Sequence, residues 1–148
     1  MTFPAGEFSE AQLYGRYVDR KSITFTAGGG GALGQHDLFT VSGCVHVVIL
    51  AYCPTLLDET GATATISVGT DDVVAGLQPV TNATDIDAGE IWAFDTAPSD
   101  CEDQASVGGA WVSDDITYNV AGNTIKEGVL NWFCFWTPVT DGATVVAA

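Results

Sequence analysis

The segment Val129–Pro138, VLNWFCFWTP, decides the fold. As a strand it sends Val129, Asn131, Phe133 and Phe135 to one side, and Leu130, Trp132, Cys134 and Trp136 to the other. A strand of a one-layer sheet is wet on one face and alternates apolar with polar residues. This one is apolar on both, so both faces need cover. A second sheet of the same domain can cover one. The other calls for a symmetric partner or for the N-terminal segment of the same chain. Exposed aromatic surface is rare on a monomer, which favours the partner. The expected oligomer seam is then Trp132 with Trp136, or Phe133 with Phe135.

Outward from this segment the chain reads as short strands and turns. SITFTA (from Ser22), HDLFTVSG, CVHVVILAY and ATATISVGT carry period-two patterning or β-branched runs, and short pieces follow around Val73–Leu77 and Glu90–Phe94. DITYNV is expected to pair with the VLNWFCFWTP strand through the turn-rich AGNTIKEG, and the tetraglycine before Ala32 reads as a flexible connection. Turn signals recur about every ten residues, and helical periodicity is confined to the first twenty. The fold class is all-β, an antiparallel β-sandwich or jelly roll over residues 22–148. It is preceded by a short, partly helical N-terminal arm, residues 1–21, in which Ser9–Gln12 forms a capping box.

The chain has 148 residues, 47% hydrophobic and 16% charged, enough for one domain with a core. Four cationic residues face nineteen acidic ones, for a net charge of −15. Residues 1–21 are neutral, because Glu7, Glu10 and Asp19 offset Arg16, Arg20 and Lys21; the rest carries all the charge against Lys126 alone. A surface this negative excludes DNA, RNA and anionic lipid as direct partners. The N-terminus has no basic and apolar leader pattern, and no apolar run reaches membrane-spanning length. Synthesis in a cytoplasm, with reduced cysteines, is the expectation.

Catalytic chemistry is hard to find. The tetraglycine lacks the Gly-Lys-Ser/Thr of a phosphate loop, and no serine lies in a Gly-x-Ser-x-Gly elbow. His36 and His46 have no nucleophile in sequence context. The acidic stretches DTAPSDCED and TDIDAGE lack the spacing of a known calcium loop. No catalytic residue, metal or cofactor is expected. Among the cysteines, Cys134 is walled in by aromatics and reads as core. Cys44 and Cys53 flank one strand and lie too far apart to bond. Cys53, beside Pro54, and Cys101, in an acidic loop, read as accessible, which makes them the candidate disulfide pair.

SITFTAGGGGALGQHDLFTVSG, ATATISVGT, TNATDIDAGEIW and VLNWFCFWTPVTDGATVVAA, in this order over residues 22–148, resemble a set of small tailed-phage virion proteins of the capsid decoration or head-fibre type. The resemblance implies a β-sandwich, often trimeric, on the particle surface. It implies a decoration (cement) protein, not an enzyme, that binds the major capsid protein from outside and stabilises the assembled shell. The alternative is a receptor- or glycan-binding module of a head or tail fibre, with Trp92, Trp111 or Tyr118 on an open face beside Asp and Asn. The cysteines and residues 1–21 fall outside the shared pattern. Charge points to a docking element: Tyr14, Arg16, Tyr17, Arg20 and Lys21 join apolar anchors to a cationic cluster suited to an acidic capsid surface. The same arm could wrap a neighbouring subunit.

Overall fold

The computed structural model describes residues 17–61, 63–94, 97–102 and 108–148. Ten strands follow in order: β1 Tyr17–Thr24, β2 Gly34–Ser42, β3 Val45–Glu59, β4 Thr65–Gly69, β5 Gln78–Asn82, β6 Ile91–Trp92, β7 Gly109–Val112, β8 Ile116–Ala121, β9 Ile125–Pro138 and β10 Thr144–Ala147. A single 3-10 turn, Ala83–Asp85, is the only helical element among the described residues. Two antiparallel sheets pack face to face as an all-β sandwich. The first runs β1-β9-β3-β6, with β7 also on β3, and the second runs β10-β2-β8-β4-β5.

The core lies between the sheets. Leu130, Trp132, Cys134 and Trp136 of β9 point into it, alongside Val45, Val47, Ile49, Ala51 and Cys53 of β3. Across the gap stand Phe39 of β2, Ile66 and Val68 of β4, and Ile116, Tyr118 and Val120 of β8. A bulge between Asp37 and Phe39 lets Leu38 and Phe39 both turn inward. The Tyr118 and Trp132 rings stack across the gap at 5.4 Å, and His36 stacks on the other face of Tyr118 at 4.9 Å. His36 is thus a core-lining side chain, with its Nε2 2.8 Å from the Ala32 carbonyl.

Three expectations from sequence are corrected here. DITYNV (β8) does not pair with β9: β8 bonds to β2 and β4, and β9 to β1 and β3, so the turn at Gly122–Thr124 carries the chain from one sheet to the other. Val73–Leu77 is a turn, closed by Gly76 N–H to the Val73 carbonyl (3.1 Å). The tetraglycine is an ordered turn. Gly29 and Gly31 N–H donate to the Thr26 carbonyl (both 3.0 Å), and the Tyr118 hydroxyl donates to the Gly30 carbonyl (2.9 Å). A Cβ on Gly31 would overlap the Ile125 carbonyl, so glycine there serves close backbone approach.

Strand β1 begins at Tyr17, inside the stretch read from sequence as the arm's end. Tyr17–Thr24 pairs residue by residue with Val129–Trp136. The Ser9–Gln12 capping box, Tyr14 and Arg16 lie outside the described residues.

Candidate interaction surface

The alternation of β9 separates the four aromatics that sequence had grouped as alternatives. Trp132 (0% exposed) and Trp136 (7%) belong to the sandwich core. Phe133 and Phe135 are half-buried on the outward face of the first sheet. Around them, register places Val18, Arg20, Ser22 and Thr24 of β1 on one side and His46, Val48, Leu50 and Tyr52 of β3 on the other. Ile91 of β6 continues the row of Tyr52, and Trp111 of β7 the row of His46. Val129, Asn131, Thr137 and Gly109 complete this part of the outward face, and none of these residues is Asp or Glu. Past the register shifts of β3 the sheet continues to Asp58, which is in register with Glu127 and pairs with Lys126 at 2.8 Å. The outward face of the second sheet is polar instead, with Gln35, Asp37, Thr40, Ser42, Thr65 and Asn119.

Arg20 is the cation beside Phe133. Its guanidinium sits 5.3 Å from the centre of the Phe133 ring, so its charge is placed over an aromatic face and its stem covers apolar surface. At one end of the sheet Trp111 is 71% exposed, with His46 edge-on to it at 5.2 Å. A groove of about 460 Å³ opens between them and Thr137, Pro138 and Val139. A Cβ on Gly109 would approach the His46 ring to 2.9 Å, so the glycine leaves room for the imidazole to lie against β7.

The other residues singled out from sequence are dispersed. Tyr17 stacks on Trp136 at 4.6 Å at the sheet edge, and Trp136 Nε1–H donates to Asp19 (2.8 Å). Lys21 points the other way from Arg20. Its ammonium donates to the Asp37 carbonyl (3.2 Å) and to the Ala148 main-chain oxygen, which straps β1 to the second sheet. Arg20 and Lys21 therefore do not form one cationic patch, because adjacent strand residues face opposite ways.

Cys53 is fully buried, in correction of its reading as accessible. It lies inside β3, at a register shift that accommodates Pro54, and its thiol donates to the Thr55 carbonyl (3.2 Å). Burial, assisted by the charges of Glu90 and Asp87, pushes this thiol up to about 11. Burial and Asp19 push Cys134 up to about 12. Cys101 is exposed, and all four cysteines are free thiols, so the Cys53–Cys101 pair is not bonded. Of the three aromatics considered for a sugar site, Trp92 and Tyr118 are core and Trp111 alone is open. Among the described residues no group of three His, Cys, Asp or Glu side chains is placed to hold a metal ion.

Comparison with protein-family models, with curated proteins and with solved structures finds no match. The chemistry of the first sheet's outward side is that of contact: aromatic and apolar side chains around Phe133 and Phe135, on a body of strongly negative net charge.

Proposed function

We propose that the chain is a non-catalytic virion protein of a tailed phage. It works as a capsid decoration protein that binds the outside of the assembled shell as a homotrimer and reinforces it. The observation that carries this reading is the contrast between the two outward faces. A protein acting alone in water has no use for an aromatic sheet face such as that around Phe133 and Phe135, whereas a protein built to be held against others does. The resemblance of its motif order to that of phage virion proteins supports the same reading. The shell contact is assigned to the N-terminal segment containing Tyr14 and Arg16, which supply an apolar anchor and a cation. Tyr17, Arg20 and Lys21 are kept by contacts within the chain.

The alternative is a glycan-binding module, and Trp111 is its one open aromatic. Sugar hydroxyls need carboxylate or amide partners beside the ring. The Trp111 groove is lined by His46, Thr137, Pro138 and Val139, none of which supplies them. Two measurements test the proposal. Full-length protein mixed with undecorated capsids should co-sediment with them, and protein lacking residues 1–16 should not. Purified virions should contain on the order of hundreds of copies, the repetition a closed symmetric shell imposes. A handful of copies, as at a fibre tip, would sink the decoration reading.

A further inference from the structure

We infer that the turn between β9 and β10 is a self-modifying site: Asp141 isomerises to isoaspartate through attack by the Gly142 nitrogen, and the change frees the edge strand β10. The inference goes beyond the reading above and does not depend on what the chain binds. Asp141–Gly142 is the chain's single Asp-Gly sequence, and the chain has no Asn-Gly. The other twelve aspartates all precede a residue whose Cβ crowds the main-chain nitrogen that has to attack.

The fold presents this pair for reaction. Thr140, Asp141 and Gly142 are exposed, and Gly142 has a φ of +76°. A Cβ on Gly142 would meet nothing within 4 Å, so neither a side chain nor a neighbour shields its nitrogen. Among the described residues no carbonyl accepts from Gly142 N–H and no donor holds the Asp141 carboxylate. Other carboxylates are held in place: Asp19 by Trp136, Asp58 by Lys126, Asp85 by Asn82 and Asp115 by Val41 N–H.

In the first step the Gly142 nitrogen bonds to Asp141 Cγ. The carboxyl hydroxyl leaves with the amide proton as water, and a succinimide ring closes. Water then adds to one of the two ring carbonyls. Opening between Cγ and nitrogen restores aspartate. Opening between the main-chain carbonyl carbon and nitrogen leaves the chain running through Cβ and Cγ, which is isoaspartate. One water leaves and one enters, so mass is unchanged, but the main chain is a methylene longer in a turn pinned at both ends. Val139 and Thr140 N–H donate to the Cys44 carbonyl (2.9 and 3.2 Å), and Cys44 N–H donates to Thr140 Oγ1 (2.9 Å). On the other side Ala143 is buried, with its N–H on the Thr140 carbonyl (3.1 Å). The side that can yield is β10, four residues paired with β2 at the edge of the second sheet. Its release also loosens Ala148, which donates to the Leu38 carbonyl (3.2 Å) and accepts the Lys21 strap between the sheets.

The test ages the full-length native protein for weeks in neutral buffer and then digests it with trypsin. Cleavage after Lys126 releases residues 127–148, in which Asp141 is the single aspartate. A second form of this peptide, with unchanged mass and shifted retention, should grow with time and accept methyl groups from an isoaspartyl carboxyl methyltransferase. Asp141→Glu needs a larger ring that closes far more slowly; it should keep the circular dichroism of fresh protein and lose the second form. Hydrogen exchange of the β10 amides should quicken in aged wild type and stay at its fresh rate in aged Asp141→Glu. An isomer that appears only in urea-unfolded protein overturns the inference, because the fold then protects the turn. So does isoaspartate confined to another aspartate, or β10 exchange that is the same in the isomerised and fresh protein.

Discussion

Gln78 shows how a single buried amide can hold this core. Its side chain accepts from Trp132 Nε1–H (2.9 Å) and donates to the Trp92 carbonyl (2.6 Å), and Trp92 Nε1–H goes on to the Thr81 hydroxyl (3.1 Å). Both tryptophans can be fully buried because their N–H groups are satisfied across the two sheets. Gln78→Leu keeps the volume but orphans an indole N–H and a carbonyl, and should cost about 2–4 kcal/mol in urea unfolding. The thiols give a second residue-level prediction. Cys101 should react with a thiol reagent in native protein at neutral pH, while Cys53 and Cys134 should react only after unfolding. The sign of their pH effect follows from pKa values raised by folding, from 9.0 to about 11 and about 12. Their stabilisation is complete below pH 9 and is lost as pH rises through the folded values. The urea midpoint should therefore fall above pH 9, and Cys134→Ala should flatten that fall even though its smaller side chain lowers the midpoint throughout.

Among the elements, the glycine turn between β1 and β2 locks the edge of the sandwich. Thr26, Gly29 and Gly31 close it internally, and Ile125 N–H donates to the Gly31 carbonyl (2.9 Å), so the turn bonds to the start of β9. Gly28 has open space where a Cβ would go, and Gly31 has the Ile125 backbone. Gly31→Ala should thus destabilise by about 2 kcal/mol or more, as overpacking against backbone does. Gly28→Ala should be neutral to within about 0.5 kcal/mol. Equal losses in the two variants, read from denaturation midpoints, would show that chain flexibility is what the glycines supply.

At the scale of the whole molecule, charge opposes the assembly that the apolar face favours. Sixteen acids against one cation over residues 22–148 make every copy repel the next. Salt screens that repulsion, since the Debye length falls from about 14 Å at 0.05 M to about 6 Å at 0.3 M. Self-association should therefore strengthen as sodium chloride is raised over this range. Docking through Arg16 of the N-terminal segment to an acidic shell should weaken over the same range. Opposite salt trends in sedimentation and in capsid binding would separate the two contacts. A self-association that weakens with salt would mean that ion pairs, and not the apolar face, join the copies.

Sequence alone determined the class of fold. Period-two patterning, frequent turns and a doubly apolar strand at Val129–Pro138 leave an antiparallel sandwich as the way to cover apolar faces, because alternation is a property of each strand by itself. It also determined that the body is acidic and that the first residues are not. Which strands meet was decided only by tertiary structure. β8 and β9 look like a hairpin in sequence but lie in opposite sheets, since pairing depends on which distant strand supplies a matching edge. The same holds for Cys53, whose proline neighbour suggested a strand end but whose strand runs on through a bulge. It holds above all for the outward face. That its part around Phe133 and Phe135 carries no acid cannot be read along the chain, where Asp19 adjoins Arg20. It appears when register aligns β1, β9, β3, β6 and β7 and sorts their side chains onto two sides.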